Sequence, residues 1–176
     1  MDEIAALVGG RVRAARLARA LSLGALAARA GVGKGSLSEI ENGARNPTLG
    51  TLYALAGALG VPLSTLLAER IGTEVAAPGM RAELLDVSED ATQTVEVYRL
   101  RFEPGADRRS PPHGPRVAEH LLVVAGRLRA GRAGEELALE SGESADWVSD
   151  VAHSYAALGD DGADAVLVIR SPRASA

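Results

Sequence analysis

Lys34, Ser36, Ser38 and Glu39 fall in one short stretch, interleaved with Leu37 and Ile40. An ammonium donor, two hydroxyls and a carboxylate acceptor at that spacing suit the edges of nucleic-acid bases. Lysine donates to guanine O6 or N7, or reaches a phosphate; glutamate accepts from cytosine N4, or stands aside. Other reactive groups are scarce. The three histidines are His113, His120 and His153, and there is no cysteine. Disulfides, thiolate metal sites and redox thiols are thereby excluded. No nucleophile constellation is visible, so the expectation is not an enzyme.

The polar groups of the first stretch need a rigid seat, and the surrounding residues supply one. Ser22 is a good N-cap, since its hydroxyl can accept a free backbone N–H of a first helical turn. Leu23, Leu26, Ala27 and Ala30 follow at helical spacing as one apolar face. Gly31 permits a close turn, and Val32 plugs it from beneath. Leu37 and Ile40 turn the next helix inward, leaving Lys34, Gly35, Ser36, Ser38 and Glu39 on its outer edge. Asn42-Gly43 is a strong C-terminal stop. Two short helices joined this way form the unit whose second helix enters the DNA major groove; an ordinary helical hairpin is the bland alternative.

Residues 8–68, about a third of the chain, resemble the phage-repressor (Cro-like, or XRE) helix-turn-helix family. The matching phrases are Val12-Arg13-x-x-Arg16, Leu26-Ala27-x-x-Ala30-Gly31-Val32, Leu37-Ser38-x-Ile40-Glu41-Asn42-Gly43 and Asn46-Pro47-Thr48-Leu49, continuing through Leu59-Gly60-Val61-Pro62. The resemblance implies a five-helix, lambda-repressor-like domain, with helices expected at 3–20, 23–30, 34–42, 48–59 and 63–68. It implies phosphate positioning by Arg13, Ser22, Arg45, Asn46 and Thr48. It also implies a structural ion pair between Arg16 and Glu41, which joins the first helix to the end of the third. Gly33 and Gly35 stand where the family has serine or threonine, which weakens the start of the third helix.

The chain of 176 residues carries a net charge of −4, unevenly spread. Residues 1–70 sum to +3 and residues 71–176 to −7. A modestly basic head on an acidic body suits a phosphate-contacting module joined to a second one. Hydrophobic residues make up 47% and aromatics only 3%, so the cores must be aliphatic. The N-terminus lacks a basic run followed by an apolar one, and no stretch approaches a membrane span. The chain reads as soluble and cytoplasmic, with no membrane partner.

Small residues with Pro and Gly at 71–80 read as a linker between a DNA-binding domain (1–70) and a second domain (81–176). Beyond it come short strand-like runs: Arg81–Val87, Thr92–Phe102, Glu119–Ala125, Arg127–Ala130, Glu136–Leu139, Ala145–Val148, Ser154–Leu158 and Ala165–Ile169. Such runs without intervening helices indicate an all-β sandwich or barrel. Residues 98–170 resemble the cupin family, a double-stranded β-helix or jelly roll. The first motif reads His113-Gly114-Pro115-x-x-x-Glu119-x-x-x-x-x-x-Gly126, with Pro115 where a second histidine would stand. The second runs from Gly142 through Val148 and Asp150 to His153, and ends at Ala157 in place of asparagine.

The cupin resemblance implies an effector or metal site. On a regular strand Glu119, Leu121 and Val123 share a face and His120 points away. His113, Glu119 and His153 then converge as a set compatible with divalent Fe, Mn, Ni or Zn. A bulge would bring in His120 instead. These groups could equally floor a polar pocket or bind an organic effector directly. Trp147 and Tyr155 are candidate pocket walls, with core packing the alternative for Trp147.

Three functions follow. The first is a transcriptional regulator that binds a pseudo-palindromic operator in double-stranded DNA as a homodimer, its cupin sensing a small-molecule effector. The second is a cupin metalloenzyme of dioxygenase or isomerase type with a DNA-binding head. The third is a regulator whose cupin only dimerises. The fusion order and the absence of a nucleophile favour the first.

Overall fold

The structure is a computed structural model describing residues 3–67, 72 and 74–173. The chain divides into two compact units, one ending at Arg70 and the other beginning at Ile71.

The first unit holds five helices: α1 (Glu3–Ala18), α2 (Leu23–Ala30), α3 (Lys34–Glu41), α4 (Leu49–Leu59) and α5 (Leu63–Leu67). The expected end of the fifth helix, residue 68, lies outside the described residues. Local chemistry sets the boundaries. The Ser22 hydroxyl accepts the Ala25 N–H at 3.1 Å, and Thr48 accepts that of Thr51 at 3.3 Å. Leu37 and Ile40 are fully buried with Val12, Leu26, Leu49 and Leu55. Burying each of these two α3 side chains contributes about 1.5–3 kcal/mol, which anchors the helix by one face. Gly9 lets α1 approach α3: a Cβ there would meet the Ile40 carbonyl oxygen at 2.0 Å.

The second unit is a curled antiparallel sheet of nine strands: β1 (Glu74–Ala77), β2 (Met80–Glu89), β3 (Gln93–Phe102), β4 (Asp107–Ser110), β5 (Ala118–Arg132), β6 (Leu137–Glu140), β7 (Ser144–Val148), β8 (His153–Ala157) and β9 (Ala163–Pro172). The strand path runs β1-β2-β3-β9-β5-β8-β4, with β6 and β7 also paired to β5. Alternation sets the faces: Tyr98, Leu100 and Phe102 turn in, while Arg99 is half-buried and Arg101 exposed.

β5 organises the roll. Its first half pairs with β7 and β9, its second with β6 and β8. A bulge between Val123 and Ala125 separates the halves. Gly126 follows at φ 76°, where a Cβ would lie 2.3 Å from the Gly162 carbonyl oxygen. Side chains are excluded there on both counts.

Three expectations need correction. The stretch 71–80 is not all linker, because residues 74–77 form β1 and pair with β2; residues 71 and 73 lie outside the described residues. Glu119–Ala125 and Arg127–Ala130 are one strand, since Gly126 kinks β5 without ending it. β4 was not expected: it is four residues long and rich in arginine, so it lacks an apolar alternation.

Candidate functional site

Two regions carry the chemistry, one in each unit. On α3, Lys34, Gly35 and Glu39 are exposed, while Ser36 and Ser38 are half-buried. The N-cap is Gly33, which offers no side-chain hydrogen bond to the helix start. Arg45 donates from Nη1 to Ser36 Oγ at 3.1 Å and lies 3.4 Å from Glu39 Oε2. Glu39 thus shares the outer edge of α3 with a guanidinium that sequence spacing did not place there. Arg13, Asn46 and Thr48 are exposed. The Ser22 and Thr48 hydroxyls both serve as helix caps.

Arg16 and Glu41 meet behind this edge. Nε donates to Oε1 at 2.7 Å and Nη2 to Oε2 at 2.8 Å, while Nη1 reaches the Leu21 carbonyl at 2.8 Å. The side chains are 11% and 5% exposed. A bidentate, buried pair with its spare donor also satisfied locks α1 to the end of α3.

The second region lies inside the roll. His113 enters from the loop before β5, Glu119 from β5 and His153 from the start of β8. Their potential ligand atoms lie within 4.8 Å of one another. His113 Nδ1 is 2.8 Å from Glu119 Oε1, and His153 Nε2 is 3.2 Å from the same oxygen. Tyr155 donates its hydroxyl to Glu119 Oε2. Burial disfavours the Glu119 carboxylate, but attraction to His113, its hydrogen bond, His153 and the Tyr155 hydroxyl outweigh that cost. Glu119 is held below the ordinary carboxylate value. Burial pushes His153 below the ordinary histidine value, against the pull of Glu119.

One detail of His153 decides what this cluster can do. Its Nδ1 sits 3.2 Å from the Val151 carbonyl, which can only accept, so Nδ1 carries the hydrogen. In a neutral ring Nε2 then presents a lone pair to Glu119 Oε1. Both atoms are buried, and Oε1 also has His113 Nδ1 at 2.8 Å, nearer than His153. Such a pair needs a donor or a cation close by, and the His113 ring 2.8 Å from Oε1 can be that donor. The donor set, two imidazoles and a carboxylate, fits a divalent transition metal. The hydrogen bond from Nδ1 to Val151 is the kind of outer support that orients a ligating histidine.

His120 does not join this cluster: it faces outward on β5, between Val168 of β9 and Asp146 of β7 in register. Trp147 is buried, with its ring 6.1 Å from His153 and 5.9 Å from Tyr155. It borders a cavity of about 330 Å³ that Ala130, Arg132, Leu137 and Ala145 also line. Tyr155, expected as a pocket wall, also holds Glu119, and its position two residues after His153 on a strand places both on one face. Arg108, opposite Tyr155 on β4, depresses His153 slightly further and was invisible because β4 was not expected.

Known proteins identify the family and the fold. The helix-turn-helix family model HTH_3 matches residues 12–66. The HTH-type transcriptional regulator SutR of Escherichia coli is 31% identical over 88% of this chain and 89% of its own length. This chain belongs to the HTH-type transcriptional regulators of the XRE kind. The regulator is also 42% identical to the immunity repressor of Bacillus phage phi105, over 35% of this chain and 43% of that one. A Vibrio cholerae HTH_3 family regulator superposes with a TM-score of 0.86 at 27% identity, covering 97% of this chain and 98% of that one. The cupin_2 domain of an XRE family regulator from Enterobacter cloacae has a TM-score of 0.50 at 24% identity, covering 54% of this chain and 99% of that one, and shows the fold of the second unit. The regulator is therefore a DNA-binding helix-turn-helix domain fused to a cupin. No described helix is long and apolar enough to cross a membrane.

Proposed function

We propose that the regulator binds a pseudo-palindromic operator as a homodimer and that its cupin senses a small-molecule effector that alters operator affinity. Residues 1–70 bind DNA, and residues 71–176 sense and dimerise. Lys34, Ser36, Ser38 and Glu39 face the major groove, with Gly35 allowing close approach. Arg13, Ser22, Arg45, Asn46 and Thr48 position the backbone. What carries this reading is α3 itself: Leu37 and Ile40 are buried to within 1% exposure, while Lys34 and Glu39 face solvent.

His113, Glu119 and His153 hold a divalent metal ion in this reading, supported by three potential ligand atoms within 4.8 Å of one another. Such an ion supplies a Lewis-acid anchor for an effector's oxygen or nitrogen. Tyr155 orients Glu119, and Trp147 packs beside His153 and Tyr155. The role is non-enzymatic, in keeping with relatives named as regulators.

Footprinting the promoter beside the regulator's own gene tests the DNA arm. The expected result is a symmetric protected site with half-sites about 34 Å apart, one turn of duplex. Lys34→Ala should weaken that site by about 1–3 kcal/mol and leave random DNA unaffected. Equal weakening on both would reassign Lys34 to phosphate contact, and an absence of protection would overturn the reading. His153→Ala should keep unliganded operator binding and blunt the effector response.

A further inference from the structure

The chain doubles back at the end of α3 and carries an arginine onto the outer edge of that helix. Gly43 turns at φ 69°, and the Gly43 and Ala44 N–H groups donate back to the Ile40 and Glu39 carbonyls, each at 2.9 Å. A Cβ on Gly43 would lie 2.8 Å from Ala6 Cα, so this turn needs glycine. Arg45 follows, and its Nη1 donates to Ser36 Oγ at 3.1 Å and lies 3.4 Å from Glu39 Oε2. Ser36 and Glu39 stand three residues apart, as neighbours on one helix face, while Leu37 and Ile40 are buried. The guanidinium thus rests on the surface that α3 presents. Both side chains of the ion pair are 56% exposed, and a pair so exposed adds little to stability. What it fixes is direction.

We infer that Arg45 reads a guanine in the major groove, and that Ser36 and Glu39 are positioning residues that aim it. This role rests on α3 being the groove-facing helix and extends that reading, in which Arg45 met only the DNA backbone. A guanidinium is a rigid plane with five N–H donors. Here Nη1 is engaged by the protein, which leaves Nε and Nη2 as two parallel donors along one side. Arg16 divides its donors in the same way: Nη1 goes to the Leu21 carbonyl, while Nε and Nη2 meet the two oxygens of Glu41. Guanine O6 and N7 are a comparable pair of acceptors on one base edge, and arginine commonly meets them with two such donors.

Phosphate also offers paired oxygens, but charge favours the base. A carboxylate beside the guanidinium repels a phosphate, so Glu39 would oppose the contact it prepares. The guanine edge carries only partial charges, and there Glu39 can orient the fork without opposing its target. Lys34 is the other exposed cation of α3, and its ammonium is a point donor that cannot stand in for a planar fork. Glu39 therefore acts on DNA through Arg45, not by accepting from cytosine N4.

Fluorescence anisotropy of the full chain on its footprinted operator, with a random duplex of equal length beside it, tests this. Arg45→Ala should weaken the operator about 10-fold or more and the random duplex less than about 2-fold. Arg45→Lys keeps the charge, loses the fork and should not restore binding. Replacing the operator guanines one at a time with 7-deazaguanine, which lacks the N7 acceptor, should find a position that costs wild type about 5-fold and Arg45→Ala nothing. Glu39→Ala removes a negative charge from a DNA-binding face, so an uninvolved carboxylate would leave binding tighter. The expected result is a loss of about 3-fold on the operator, part of it recovered in Glu39→Gln, and no further loss when Glu39→Ala is added to Arg45→Ala. A Glu39→Ala protein that binds the operator as well as wild type, equal Arg45→Ala losses on operator and random DNA, or no guanine that depends on Arg45 would each overturn this role and leave α3 in the groove. A promoter with no protected site would remove both.

Discussion

Glu41 and Glu119, one in each unit, are buried beside basic side chains, and the two clusters differ in how they are satisfied. Glu41 spends both oxygens on the Arg16 guanidinium, whose remaining donor reaches the Leu21 carbonyl. Glu119 gives one oxygen to Tyr155 and turns the other toward two histidine rings, 2.8 Å from His113 and 3.2 Å from His153. The first cluster is electrically closed and holds two helices in register. The second gathers two imidazoles and a carboxylate with ligand atoms within 4.8 Å of one another, a donor set that a cation would fit. Burial of a carboxylate therefore says little by itself; the donors left over decide between scaffold and site.

The largest test of this contrast is to open the closed cluster. Glu41→Leu strands the Arg16 guanidinium and should cost about 3–5 kcal/mol in chemical denaturation, whereas Arg16→Met combined with Glu41→Leu should recover most of it. The second test fills the open cluster. Thermal shift with Zn²⁺, Mn²⁺, Ni²⁺ or Fe²⁺ should stabilise the wild type by roughly 2.7 kcal/mol at 100 times the dissociation constant, and Glu119→Gln should abolish the gain. A shift of equal size in that variant would place the metal elsewhere.

Smaller effects come from protons. In chelated protein the unfolded chain protonates His153 near its ordinary value of 6.5, before the folded chain does. Stability from this group is fully present above that pH and declines as pH falls through and below it, so melting temperatures between pH 7.5 and 5.5 should drop. His153→Phe should flatten that slope. Glu119, depressed in the fold, loses its contribution only below about 4.5. The weakest effect belongs to an exposed carboxylate with a full set of donors. Asp90 accepts from the Thr92 hydroxyl and from the Thr92 and Gln93 N–H groups, which hold it at about 2. Its contribution persists above about 3.8 and fades toward 2, so an NMR titration should find an anomalously acidic Asp90 and Asp90→Ala should lower stability only slightly.

The helical unit was legible because its boundaries are written locally. Ser22 and Thr48 are side-chain caps a few bonds from the groups they satisfy, and apolar spacing names the faces. The roll was legible in outline and obscure at its edges. β1 and β4 are short, with charged or small residues, and owe their extended form to neighbours far along the chain. Gly126 reads as a break to any local rule, yet β5 runs through it because β9 and β8 take up its two sides. His113, Glu119 and His153 were accessible through motif spacing and strand parity. Arg108 and the Arg45–Ser36–Glu39 arrangement were not, since both depend on where loops and edge strands come to rest.

The alternation along β5 has a consequence for how this gene can vary. Glu119, Leu121 and Val123 look inward while His120, Leu122 and Val124 look outward, all on one ribbon pinned by the bulge and Gly126. Deleting or inserting a single codon upstream of that pin would exchange the two sets, hiding His120 and expelling Glu119. Point substitutions here trade one side chain, but a frame-preserving length change would turn the wall inside out.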